Sequence, residues 1–217
     1  MDIWSDVVCP WCYVGKRRFE TALARFPHRD DVEVRWHSFE LDPRAPRVRE
    51  GDRLGHLSAK YGISREQAQA MERTITEAAE SLGLELRLDR ARGGNTFDAH
   101  RLLHLAGTHG LDAAVKERFL RAYFTDGEPI GDTDVLRRVA VDAGLPPVEV
   151  DEVLAGDRYA DAVRADEAQA HAYGATGVPF FVIDETYGIS GAQSPEVFIN
   201  VLERAWSETH DHTTAVD

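Results

Sequence analysis

The two cysteines of this 217-residue chain stand within one short stretch, Cys9-Pro10-Trp11-Cys12. Thiols at that spacing can exchange with a disulfide, or supply half of a tetrahedral metal site. Zinc would need two further ligands. The sequence has no second cysteine pair, and among nine histidines the compact pair is His210 and His212, in a polar tail. We read the stretch as a reactive dithiol.

If a helix begins at Pro10, Cys9 is its N-cap, and proline occupies the first helical position, where a missing N–H costs nothing. The amides of Trp11 and Cys12 and the positive end of the helix dipole then stabilise a thiolate at Cys9 and make it the nucleophile. Cys12 falls one turn further on, on the same side. It is placed to attack a mixed disulfide formed at Cys9 and release the substrate. The expectation is an accessible Cys9 and a shielded Cys12.

The elements around the dithiol begin as a βαβ order. Ile3 to Val8 reads as a strand, Val14, Phe19, Leu23 and Phe26 as the apolar face of a helix ending before Pro27, and Val32, Val34 and Trp36 as a second strand. His37 at its end is read as a sheet-edge histidine rather than a proton shuttle. From Pro43 the character turns helical. Arg53 to Tyr61 reads as one helix, Ser64 with Gln67 as a capping box for another reaching Leu82, and Asn95 as the N-cap of a third carrying Phe97, Leu102 and Leu103. With three more over 111–125, 133–143 and 158–173, five or six helices are expected. Leu84, Leu86 and Leu88 suggest a short extended piece. Phe180 to Ile183, a turn at Asp184-Glu185 and Thr186 to Ile189 form a hairpin, and Ser194-Pro195 opens the last helix. This predicts an α/β protein with residues 1–43 and 173–217 as one unit and 44–172 as an inserted all-helical domain.

Composition bounds the task. The 43% hydrophobic content is that of a globular chain, and 25 Lys and Arg against 38 Asp and Glu leave a formal charge of −13 with no basic stripe. Nucleic acid is therefore not an expected partner. Met1-Asp2 leads straight into strand, and no apolar run has transmembrane length, so we expect a cytoplasmic protein without a membrane partner. In that reducing pool a dithiol turns over rather than staples.

Three stretches carry a family resemblance: Cys9-Pro10-Trp11-Cys12-Tyr13, Asn95-Thr96-Phe97-Asp98-Ala99-His100, and Gly177-Val178-Pro179-Phe180-Phe181 with Gly188-Ile189-Ser190-Gly191-Ala192-Gln193. Together they resemble the DsbA-like branch of the thioredoxin superfamily, and within it the FrnE-type subfamily. The same chain is similar to 2-hydroxychromene-2-carboxylate isomerase and the kappa-class glutathione transferases.

The resemblance implies a thioredoxin fold with a helical lid over the dithiol, and a cis bond between Val178 and Pro179. It implies that Pro179 acts with the cysteines, and that Val178, Trp11, Pro10, Gly191, Gln193, Asn95 and His100 contact substrate. The residues alone leave Asn95 as a helix cap, and leave His100 open between the cleft and the lid core. Periplasmic members typically carry histidine between the cysteines; Trp11 and Pro10 stand there instead.

The expected activity is thiol–disulfide exchange on protein or small-molecule disulfides, with no metal or bound organic cofactor. The partners are protein or peptide thiols, with glutathione as a co-substrate that the resemblance admits, and the chain acts as a monomer or homodimer. Two other readings stay open: a glutathione-dependent isomerase or transferase, and a polypeptide-binding chaperone that does not use its cysteines.

Overall fold

The computed structural model describes residues 1–211, with side chains through Thr209, so His210 and His212 of the tail lie outside the described side chains. A mixed four-stranded sheet forms the frame. Strand β1 (Asp2–Ser5) pairs in parallel with β2 (Arg35–Ser38) and antiparallel with β3 (Phe180–Ile183), which pairs antiparallel with β4 (Tyr187–Ser190). The spatial order is β2-β1-β3-β4. Side chains alternate across such a sheet, so Ile3 and Phe181 face one way while Trp4, Phe180 and Val182 face the other.

Helices α1 (Pro10–Arg25) and α9 (Pro195–Asp211) cover the first face, where Ile3, Phe19, Phe181 and Phe198 form one core cluster. The second face receives Phe39, Ala170 and Ala175 around Trp4. Ala170 belongs to α8 (Ala160–Ala172), the last of seven helices between β2 and β3 among the described residues. The others are α2 (Arg53–Tyr61), α3 (Arg65–Glu80), α4 (Phe97–Thr108), α5 (Asp112–Arg121), α6 (Thr133–Asp142) and α7 (Pro147–Ala155). Their own core, built on residues such as Leu102, Phe119, Leu136 and Val150, also takes in Val7, Tyr13 and Val14. That packing ties the helical layer to the dithiol end of α1.

Several sequence expectations are corrected here. Strand β1 stops at Ser5, leaving Asp6, Val7 and Val8 to a turn that closes with the Cys9 amide donating to the Asp6 carbonyl at 3.2 Å. The second strand begins only at Arg35, after a short 3₁₀ turn at Arg29–Asp31. Seven helices replace the expected five or six: α7 falls in a stretch for which no helix was expected, and it opens on Pro147, a residue that suits a first helical turn. Leu84, Leu86 and Leu88 are all buried but pair with no strand. The helix expected over 111–125 ends its α geometry at Arg121 and continues as a π segment, Ala122–Asp126.

Other local signals hold. The Ser64–Gln67 capping box forms both of its hydrogen bonds. Asp184 and Glu185 take positive φ values of 49° and 52°, the backbone that a two-residue hairpin turn demands.

Candidate active site

The dithiol sits where β1 hands over to α1. Cys9 is extended backbone at the N-cap and Pro10 is the first helical residue, as the spacing requires. The environment of Cys9 differs from the sequence expectation in two ways. Its side chain takes no capping hydrogen bond, and the Cys12 amide donates to the Cys9 carbonyl at 3.0 Å, so that amide is not free for a thiolate. Cys9 is also buried, with 4% exposure, against 2% for Cys12. Both cysteines are free.

Cys9 is reached instead through a cavity of about 510 Å³, on whose wall it stands with Val8, Pro10, Trp11 and Val178. Across from them, α2 and α3 contribute Arg53, His56, Lys60, Met71 and Ile75. Cys12 is behind this surface. Burial, then the hydrogen bond and charge of Cys9, push the Cys12 thiol well up, against a backbone hydrogen bond at Asp6 and the positive charge of Lys116.

The chain closes the site from its far end. The Val178–Pro179 peptide bond is cis, and the Cys9 thiol donates to the Val178 carbonyl at 3.5 Å. Gly15 makes this approach possible, since a Cβ there would lie 2.9 Å from Pro179 Cγ. The Gly191 amide donates to the Pro179 carbonyl at 2.8 Å and fixes the loop.

Of the residues that the resemblance implied as substrate contacts, the structure brings Trp11, Pro10 and Val178 to the cavity wall. It does not bring the others there. Gly191 holds Pro179 from behind, and Gln193 is exposed and donates to the Ser190 carbonyl. Asn95 is not the N-cap expected of it but stands one position before it: Thr96 is the N-cap residue, and the Asn95 Oδ1 accepts from the Phe97 amide at 2.9 Å. His100 is wholly buried, its Nε2 3.4 Å from Asp6 Oδ1. It belongs to the core, not to the cleft.

Two buried charges beneath the dithiol were missed by sequence reasoning. Burial alone would raise the Asp6 carboxyl, but His100, the Leu41 amide at 2.8 Å and the charge of Lys116 hold it below the usual carboxylate range. Lys116 of α5 is 1% exposed, donates to the Ser5 carbonyl at 3.2 Å, and is lowered by burial to about 8 despite the pull of Cys12, Asp6 and Cys9. A signal for it existed: Lys116 stands at the same helical face as Phe119, Leu120 and Tyr123, where an apolar residue belongs.

His37 is not a plain edge residue either. It stacks on Trp4 with ring centroids 4.5 Å apart, and bonds Asp166 of α8 and Asp2 of β1, each at 2.8 Å.

The family model of the DSBA-like thioredoxin domain matches residues 1–203. The chain belongs to that family. This DSBA-like chain superposes with a TM-score of 0.92 on a probable DsbA oxidoreductase from Streptomyces coelicolor, at 53% identity, covering 95% of this chain and 89% of that one. It is 32% identical to the uncharacterized protein YwbO of Bacillus subtilis over 201 residues, 90% of this chain and 92% of the relative. At 14% identity it shares its fold with a 2-hydroxychromene-2-carboxylate isomerase, with a TM-score of 0.70 and 97% of each chain covered. No helix among the described residues of this DSBA-like chain is long and apolar enough to cross a membrane.

Proposed function

We propose that this protein is a thiol–disulfide oxidoreductase of FrnE type, with Cys9 as nucleophile and Cys12 as resolving thiol. One observation carries the reading: of the two free thiols at the start of α1, Cys9 stands on the wall of the cavity, against the Val178 carbonyl, and Cys12 lies directly behind it.

In the reduced state the dithiol needs no further reagent to reduce a disulfide. The Cys9 thiolate attacks one sulfur of a disulfide, that S–S bond breaks, and one thiolate leaves and takes up a proton. Cys12 then loses its proton and attacks the Cys9 sulfur. The second substrate thiol is released, and two electrons have passed from the dithiol to the substrate. Run backwards, the same steps oxidise a substrate dithiol. Lys116 stabilises the Cys12 thiolate while it forms, because its buried positive charge lies among the groups that act on that sulfur.

The test is dithiothreitol-driven reduction of bis(2-hydroxyethyl) disulfide. This activity requires both cysteines and persists in a chelator. Activity retained after Cys9→Ser, or lost on chelation, would overturn the reading.

A further inference from the structure

The cavity next to Cys9 has a chemical character of its own. Three carboxylates stand on its wall, and each is matched by an arginine: Asp42 by Arg49 at 2.7 Å, Glu72 by Arg53 at 2.8 Å, and Asp52 by Arg65 at 2.9 Å. Lys60 also lines the cavity and is exposed, yet among the described residues it has no carboxylate within ion-pair distance. Its ammonium lies 5.7 Å from the ring of Tyr61, which is 54% exposed at the same rim. His56, one turn before Lys60 on α2, is held below the ordinary histidine range by burial and by the charges of Arg49 and Lys60. Among the described residues, Lys60 is therefore a cation of this wall that no carboxylate pairs.

Size points the same way. Cys9 is only 4% exposed, so a disulfide in a folded protein would have to part the walls to reach it. A volume of about 510 Å³ falls instead in the range of small-molecule sites, roughly 300–1,000 Å³.

We propose that the cavity receives a small disulfide or mixed disulfide bearing a carboxylate, which Lys60 binds at the rim while the scissile sulfur meets Cys9. This rests on the oxidoreductase reading above and names its substrate class. The sites first expected for such a ligand, Gly191 and Gln193, do not line the cavity. The chain as a whole carries a formal charge of −13, so its long-range field repels an anion, and any preference for one must arise locally.

The experiment is single turnover of the reduced full-length protein, followed by tryptophan fluorescence and by titration of the two thiols released. The probes share one scissile bond and differ in charge: glutathione disulfide, neutral bis(2-hydroxyethyl) disulfide, and cationic cystamine. The wild type is expected to react at least tenfold faster with glutathione disulfide than with cystamine, and Lys60→Glu to reverse that order. Lys60→Gln should lower the ratio of the glutathione to the hydroxyethyl rate constant by about tenfold, and 0.5 M salt should lower the wild-type ratio as well. A cystamine rate equal to the glutathione rate, or a ratio untouched by either Lys60 variant, overturns the proposal. If none of the three disulfides oxidises the dithiol, it is the oxidoreductase reading that has failed.

Discussion

The Cys9 thiol and the Val178 carbonyl, 169 positions apart in sequence, meet at 3.5 Å. This contact brings the two ends of the chain to one point and leaves Cys9 facing the cavity, with Cys12 behind. Access to the cavity, together with the raised pKa of Cys12, should then separate the two thiols. Iodoacetamide is expected to label Cys9 of the reduced native protein at least tenfold faster than Cys12, and the difference should vanish in urea. Equal native rates in peptide mapping would contradict the arrangement.

Lys116 makes a prediction about pH. Its ordinary value near 10.5 falls to about 8 in the fold, so between these values the unfolded chain holds a proton that the folded chain has lost. Its contribution to stability therefore rises as pH climbs from about 8 to 10.5, and is flat below 8, where burying the charge costs on the order of 3 kcal/mol. Cys12 and Tyr13 are raised and act oppositely, so the effect is read as a difference between two proteins. Subtracting the Lys116→Met curve from the wild-type curve should leave a rise across that window. The variant should also accumulate mixed disulfide at Cys9, because Cys12 loses its cation. A flat difference curve would mean that Lys116 is not buried as a charge.

The contact between the sheet and α8 turns on His37 and Asp166. Burial lowers a histidine, but here the hydrogen bonds and charges of Asp166 and Asp2 win and raise His37. Asp166 is likewise pulled far below the carboxylate range by His104, His37 and the Ser38 amide, against its burial. The His37 contribution is complete below about 6.5 and lost as pH rises through its raised value; that of Asp166 is present above about 3.8 and lost as pH falls. His37→Gln should therefore cost about 1–3 kcal/mol near pH 5.5 and measurably less at pH 9, by urea denaturation. A cost independent of pH would show that the pair is not ionic.

Gly15 occupies a helix interior, where alanine is ordinarily favoured by up to about 1 kcal/mol. Here an added Cβ would meet Pro179 Cγ at 2.9 Å and Ala192 Cβ at 3.4 Å. Overpacking costs about 1–3 kcal/mol, so Gly15→Ala should lower the melting temperature and slow disulfide exchange as the Pro179 loop is pushed from the dithiol. A stabilised, fully active variant would show that the loop has room to yield.

How much of this was legible in the sequence depends on the range of the interaction. The Cys9 N-cap, the Ser64 capping box and the Asp184-Glu185 turn are local, and each lies where spacing and residue type put it. What failed was set by distant partners. Whether Cys9 is exposed depends on α2 and α3, whether His100 faces cleft or core depends on Asp6, and the roles of Gly191 and Gln193 depend on how the loop folds back on Pro179. Lys116 carried a visible anomaly, a charge on an apolar stripe, but its target at the end of β1 lies 111 residues away.

The central claim is the division of labour between the cysteines, and intact-protein mass spectrometry after one exposure to a disulfide tests it most directly. Wild type should lose two hydrogens and retain no adduct. Cys12→Ser should retain one stable adduct mapped to Cys9, and Cys9→Ser should retain none on the same timescale. An adduct forming on Cys12 of the Cys9→Ser variant as fast as on Cys9 of the Cys12→Ser variant would contradict the account.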